Sequence, residues 1–457
     1  MAYSEAKVVK ELSRLEEKSK SKNRWFHLFI FSFFILCLAY VIDEIASNVN
    51  SIVQNDVVKT FYPGEQGTTI YLIVSTLCSG IAFFTFFYKS LSDRFGRKLF
   101  LIVNTIGLSI GMFICFLSKN VVFYTIGMLI MSFFMPCHIQ EVYILETANP
   151  RRRALFLSIA KAIGTVGVVL VSALHDWAIS LGNNTWNYVF LIPACIGLLT
   201  GIICFFFIKE SPVFIESRTK ILKEKLKNNG VIKKIDNAEG GIIHAIKYMF
   251  KYKVLLWIFL IAIMFSVSAV GALNFGFMIS DVKDQNLVFI IYPFACAFLQ
   301  ITIGLVADLF GRKKASLSAG VLSLIGIIIF SLGSFFKFPA AILGITLGIF
   351  IAGYNSLLNL INVICSEQSP TNLRSSIMSL IGVATSIGSF IPIVLLIIIG
   401  AVSPNFNISL FVIFMVAPSI LAGVILLFIF VPETYHVSLS SLKDKLKIKT
   451  KKQSKNN

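Results

Sequence analysis

A few side chains able to hold or move protons, or to bond a polar solute, sit inside long apolar runs of this sequence. Asp43 and Glu44 stand in FFILCLAYVIDEIASNVN, His138 and Glu141 three residues apart in FFMPCHIQEVYIL, and Lys161 in FLSIAKAIGTVG. An ionisable group in such surroundings is costly, which makes it a candidate for function. A carboxyl group removed from water holds its proton more tightly, which suits reversible protonation near neutrality, and imidazole titrates there unaided. Ser47 and Asn50 share the face of Asp43 at i+4 and i+7. Asn355, Asn359 and Asn362 make a second stripe at the same spacing, and their amides both donate and accept. Asn274, Gln300, Thr385, Ser386 and Ser389 add polar groups on other runs. The chemistry on offer is proton transfer beside recognition of a polar solute. No metal spacing, nucleophile triad or phosphate loop is present in the sequence, so neither an enzyme nor a cofactor is expected.

Such residues need elements that carry them through an apolar phase. The chain of 457 residues has a mean hydropathy of +0.82 and 14% charged residues, where soluble domains carry about 25%. Apolar runs of about twenty residues recur along its length, more than a water-soluble core absorbs. Twelve spans are predicted, at 25–50, 66–88, 99–118, 121–145, 155–180, 187–208, 253–280, 287–307, 315–336, 338–366, 375–400 and 406–431. Each is long enough to cross a hydrocarbon layer of about 30 Å at about 1.5 Å per residue. The expectation is an all-α membrane protein within the lipid bilayer. A Lys-rich stretch splits the spans six and six. This gives a tail at 1–24, a six-helix bundle at 25–208, a central loop at 209–252, a second six-helix bundle at 253–431 and a basic tail at 432–457. Residues 1–24 mix acids and bases and precede too long an apolar run to be read as a cleavable signal.

The span pattern puts 36 of the 41 Lys and Arg in the two tails, the central loop with Lys253 at its border, and the loops after spans 2, 4, 8 and 10. Lys59, Lys119, Lys283 and Lys337 fall on the other side, and Lys161 within a span. Cations gather on the cytoplasmic side of membranes, so both termini are expected in the cytoplasm, with the protein in the plasma membrane. The same asymmetry accounts for the net charge of +18 without a nucleic-acid partner. All eight cysteines lie in apolar runs and read as packing residues.

Depth follows from helical rise. Counted from Glu146, His138 lies about 12 Å deep and Glu141 about 7 Å, while Lys161 lies about 12 Å past Arg153 on the returning span. Glu141 and Lys161 are therefore expected to form a buried ion pair or a shared proton site, a purely structural pair being the alternative. For Asp43 the alternative is an acid at the outer mouth. For the asparagine stripe it is amide contact between helices. His175 and Asp176 are expected at the outer membrane interface.

The loops carry a repeat. KSLSDRFGRK at 89–98 returns as GLVADLFGRKK at 304–314, with Asp93, Gly96 and Arg97 matching Asp308, Gly311 and Arg312. ETANPRRRA after span 4 is echoed by EQSPTNLRS after span 10, so Glu146 and Arg153, like Glu367 and Arg374, stand seven apart. Two motifs at equivalent points of two six-span halves indicate a duplicated fold. The D-R-x-G-R-K string between spans 2 and 3 resembles the hallmark of the major facilitator superfamily. KESPVF after span 6 and VPET after span 12 are similar to strings of its sugar porters and organic-ion transporters. E-x6-R belongs to the same neighbourhood, and PRRR is similar to the aromatic-acid and metabolite:proton symporters. The family's leading Gly is kept as Gly304 but is Lys89 in the first copy. The antiporter pattern G-P-x-x-G-G is absent from AKAIGTVGVVLVSAL.

The resemblance implies two pseudo-symmetric six-helix bundles around a midplane site. It implies secondary transport of a small polar organic solute (a sugar, organic acid or organic ion), with protons as the second partner and a monomer as the working unit. It implies a charge network closing one end of the molecule, built from Asp93, Arg94, Gly96, Arg97, Glu146, Arg153 and Glu210 and, in the second half, Asp308, Gly311, Arg312, Glu367, Arg374 and Glu433. Within it, Asp93, Arg94 and Arg97 are expected to pair with Glu146, Arg153 and Glu210; cations that only set topology are the alternative. Asp43 is similar to the span-1 acid that carries the proton in the symporters. The sugar porters' early span-4 arginine has no counterpart, since Thr125 and Ile126 occupy that region. His138 or Glu141 is expected to substitute, with Glu44 and Lys161 in the same set. The solute is expected at Asn274, Gln300, Asn355, Asn359, Asn362 and Ser386. Sugar porters have a Trp near 362 and paired glutamines on span 7; Asn362 and GALNFGFM here argue against a hexose. A facilitative uniporter and a non-transporting membrane sensor are the competing readings.

Overall fold

The computed structural model describes residues 9–14, 25–64, 66–135, 139–149, 151–182, 185–227, 242–280, 282–370, 373–402 and 407–434. His138, most of the first tail and the basic tail beyond 434 lie outside the described residues. Twelve helices are long and apolar enough to cross a membrane. The first six are α1 (Trp25–Phe61), α2 (Gly67–Phe95), α3 (Arg97–Phe116), α4 (Val121–Thr147), α5 (Arg153–Ser180) and α6 (Trp186–Phe207). The second six are α7 (Lys253–Met278), α8 (Gln285–Phe310), α9 (Arg312–Phe335), α10 (Ala340–Gln368), α11 (Arg374–Val402) and α12 (Ile408–Phe430). No strand occurs among the described residues. The cause is general: lipid offers no hydrogen bonds, so an apolar segment must satisfy its backbone within itself.

Local chemistry sets the ends. Asn120 accepts a hydrogen bond from the Phe123 N–H at the start of α4, and Asn407 accepts from Ser409 and Leu410 at the start of α12. Gly96 and Gly311 take φ of 108° and 110°, which lets α2 and α8 stop and α3 and α9 begin at the next residue. In both places a Cβ would also collide with a carboxylate, that of Glu210 or Glu433.

The largest departure from the predicted spans is α1, which runs to Phe61 rather than 50. The apolar run stops at Asn55, Asp56 and Lys59, but Ile52, Val53 and Val57 continue a buried stripe that holds the helix on. Asp43 therefore stands at the middle of the helix and not at its mouth.

Two large apolar clusters fill the interior, each drawing on both halves. Tyr40 and Ala160 belong to one, Ile42 and Val168 to the other. Asp43 and Lys161 thus sit where the two clusters meet. The halves pack together through α5 on α8 and α2 on α11. Two helices follow α6, Pro212–Lys227 and Ile242–Lys251. The end of the molecule bearing Arg97, Arg312 and these helices is called the basic end below.

Candidate functional site

The centre is built on α1, α4, α5 and α10. Glu141 Oε1 lies 2.6 Å from Lys161 Nζ, and its Oε2 accepts a 2.6 Å hydrogen bond from the Asn362 amide. Glu141 and Lys161 belong to the first half and Asn362 to the second, so one carboxylate joins the halves. Glu141 is fully buried and Lys161 is 7% exposed, and the Tyr40 ring lies 6.0 Å from the ammonium. Asp43 Oδ2 accepts a 2.9 Å hydrogen bond from the Gln140 amide. One turn along, Asn48 donates to the Glu44 backbone carbonyl at 2.8 Å and accepts from the Tyr292 hydroxyl across the halves at 3.3 Å. Three carboxyl groups and one ammonium thus share a region with little water.

The asparagine stripe does not act as a unit. Asn362 is engaged by Glu141, whereas Asn359 is 2% exposed with neither amide atom hydrogen-bonded. Asn355 is half-buried. On α8, fully buried Gln300 donates to Cys296 Sγ at 3.1 Å and leaves its Oε1 without a partner. Asn274 stands at a break in α7 (φ −117°, ψ 15°) and donates to the Val270 carbonyl at 2.9 Å. Ser386 donates to Gly382 O at 3.0 Å. Asn50 accepts from Tyr124 at 3.1 Å, away from Asp43. Of the predicted polar groups, Asn359 and Gln300 retain unused hydrogen-bonding capacity in the interior.

The basic end holds two copies of one arrangement. Asp93 bridges Arg97 at 3.0 Å, and Arg97 reaches Glu146 at 3.1 Å. Asp308 bridges Arg312 at 2.6 Å, and Arg312 reaches Glu367 at 3.4 Å. Each copy then crosses to the other half. Asp93 accepts hydrogen bonds from the Ser375 and Ser376 N–H groups and the Ser376 hydroxyl at the start of α11, at 3.1, 2.7 and 2.6 Å. Asp308 accepts from the Leu155 N–H at the start of α5, at 2.7 Å. In both cases an acid meets the N-terminal turn of a helix, where N–H groups lack intrahelical partners.

Two expectations are corrected here. Arg153 does not join the Asp93 cluster; its Nη1 lies 3.9 Å from Glu367 of the second half, and Arg374 returns the contact at 3.2 Å from Glu146. The packing of α5 on α8 and α2 on α11 carries each arginine across. Glu210 holds the backbone N–H of Arg97 at 2.8 Å rather than its guanidinium, as Glu433 holds that of Arg312 at 2.8 Å. Burial pushes the Glu210 carboxyl above its ordinary value, opposed by the N–H groups and the Arg97 charge. Arg94 is exposed, with its guanidinium 5.5 Å from the Phe95 ring.

The opposite end is also bridged. Ser51 donates to the Leu273 carbonyl at 2.7 Å, Asn55 to that of Gly276 at 3.5 Å, and Asn286 to the Asp176 carboxylate. His175 Nε2 lies 2.8 Å from Asp56. Outside these contacts a cavity of about 710 Å³ is lined by both halves, among them Asn55, Asp56, His175 and Gln285.

Gln140, Tyr40, Asp56, Ser211, Ser375 and Ser376 were missed in the sequence. Ser211 donates to Glu146 at 2.6 Å. Only Gln140 had a usable signal, an amide beside a buried acid.

Duplicated six-helix halves with reciprocal charge contacts at one end define a membrane protein of two repeated six-helix bundles. The family model of the Major Facilitator Superfamily matches residues 25–391 and again 280–455; the chain belongs to that superfamily. It resembles the structure of XylE, a proton:xylose symporter, with a TM-score of 0.71 and 16% identity over 91% of this chain and 98% of that one. It is 26% identical over 250 residues to YdeG of Bacillus subtilis, an uncharacterized MFS-type transporter, covering 52% of this chain and 56% of YdeG. It is 27% identical over 161 residues to mouse facilitated glucose transporter member 12, covering 34% of this chain and 26% of that protein.

Proposed function

We propose that the protein carries a small polar organic solute across a membrane together with protons. The observation that supports this most is Glu141. Its carboxylate is held by Lys161 within the first half and by Asn362 of the second, beside Asp43 and Glu44. A proton delivered to this acidic group changes how strongly it holds both partners, so proton binding and the relation of the halves are linked. Asn359 and Gln300 supply amides for the solute. Contacts between the halves at both ends correspond to an occluded stage, from which either end can open.

The distribution of cations supports a cytoplasmic basic end and cytoplasmic termini in a plasma membrane. Sugars, organic acids and organic ions remain the solute classes.

The test is uptake into proteoliposomes with and without an imposed pH gradient, after a thermal-shift screen has supplied a solute. Accumulation above equilibrium only with the gradient supports symport. Uptake indifferent to the gradient favours a facilitative uniporter, a reading supported by the pairing of Glu141 with Lys161.

A further inference from the structure

The helix Ile242–Lys251 has two apolar faces. Ala245, Tyr248 and Met249 are buried against the interior cluster that also contains Leu255 and Ile258. Ile243, Ile246 and Phe250 form a second stripe at i, i+3 and i+7, and they are 64, 39 and 70% exposed. Lys247 and Lys251 line one edge of that stripe, and Lys253 follows at the start of α7; all three are exposed. Water gives such a stripe no partner.

Its position says what does. One residue, Tyr252, separates this helix from α7, so the helix lies at the level where α7 enters the hydrocarbon. Aromatic rings cluster at that level, Tyr248 with Tyr252 at 4.4 Å between centroids and Trp257 stacked on Phe430 at 3.7 Å. Aromatic belts of this kind mark membrane–water interfaces. A fourth cation, Lys313, lies 5.0 Å from the Phe428 ring on the same rim. An apolar stripe edged by lysines is the composition of a helix lying in the headgroup layer.

We infer that the Ile242–Lys251 helix is a docking surface for anionic lipid. Ile243, Ile246 and Phe250 enter the acyl boundary, and Lys247, Lys251 and Lys253 hold the headgroup phosphates. The helix packs on α7 and α11, and α11 begins with Arg374, so bound lipid braces the base of the second half. This inference depends on the membrane reading of the twelve helices and not on the transported solute.

The experiment uses the full chain in nanodiscs of phosphatidylcholine alone or mixed with phosphatidylglycerol, with the thermal midpoint as readout. The expected result is a higher midpoint with phosphatidylglycerol, most of it lost in the triple variant K247Q/K251Q/K253Q, whose midpoint in phosphatidylcholine stays near that of the parent. Phe250→Ser should lose part of the rise. No rise for the parent chain, or a full rise in the triple variant, overturns the proposal. So does an equal rise from glycerol phosphate added to phosphatidylcholine nanodiscs, which would point to a site for free phosphate.

Discussion

Arg374 Nη1 lies 3.2 Å from Glu146 Oε1, a buried contact between the start of α11 in the second half and the end of α4 in the first. Arg153 and Glu367 repeat it in reverse at 3.9 Å. Neither pair survives separation of the halves, because each has one member on either side. Stranding one partner of a buried pair alone costs about 3–5 kcal/mol; Glu146 keeps Arg97 and Ser211 when Arg374 is removed, so the cost there is smaller, and it falls only on the closed form, since an opened end is hydrated.

Arg374→Ala is therefore expected to open the basic end. Even about 1.4 kcal/mol moves a two-state population tenfold. Spin-label distances between the ends of α4 and α11 should lengthen, while distances at the opposite end stay or shorten. Unchanged distances at the basic end would show that the cross-half pairs do not hold it.

Glu141→Gln tests the central pair. The amide keeps the shape and the contact with Asn362 but takes from Lys161 its one direct partner, so the single variant should lose stability, by less than the about 3–5 kcal/mol of a fully stranded charge because Asp43 and Glu44 still act on the ammonium. Adding Lys161→Met removes the stranded charge and should restore most of that loss, an interaction visible in a double-mutant cycle of thermal unfolding. Additive losses would mean that the two side chains are not coupled. If Glu141 carries the coupled proton, the double variant should also have lost proton-driven accumulation whatever its stability.

Lys89 stands where the second copy has Gly304. A Cβ at Gly304 would run into Ser158 and the Ala154 carbonyl, so glycine is what allows α8 to touch α5. On the other side of the pseudo-symmetry Lys89 is 3% exposed and lies near Cys365 of α10. Lys89→Gly should let α2 approach α11 as α8 approaches α5, and slow the opening of the basic end. Lys89→Met, which keeps the bulk, separates size from charge. Equal opening rates in the parent and the glycine variant, followed by fluorescence or spin labels, would remove Lys89 from the gate.

Much of this was legible before any coordinates. Apolar run length gave the helices, and the repeat of Asp93, Gly96 and Arg97 gave the two halves. Counting about 1.5 Å per residue from Glu146 and Arg153 brought Glu141 and Lys161 to within about 5 Å in depth. The partners of Arg153 and Arg374 were not legible, because they depend on which helices of one half lie against which of the other. The length of α1 was misread because composition registers Asn55, Asp56 and Lys59 but not the buried stripe of Ile52, Val53 and Val57 behind them. Gln140 escaped because its role comes from its neighbour Asp43 on another helix, not from its own cost of burial.

Asp43 is the remaining acid, and Gln140 makes its test clean. The Gln140 amide donates to Asp43 at 2.9 Å, and Asn at position 43 can accept the same bond through its carbonyl oxygen. Asp43→Asn should thus fold with the parent's stability to within about 1 kcal/mol. It removes the one atom pair that can take up a proton there. If Asp43 carries the coupled proton, accumulation against a gradient should be abolished while exchange of labelled for unlabelled solute persists, since exchange needs the halves to rock but no net proton movement. If Glu141 carries it instead, accumulation in Asp43→Asn stays near the parent's level and Glu141→Gln loses it; if Glu44 carries it, both variants still accumulate. Measuring both fluxes in the same proteoliposomes decides between the three acids.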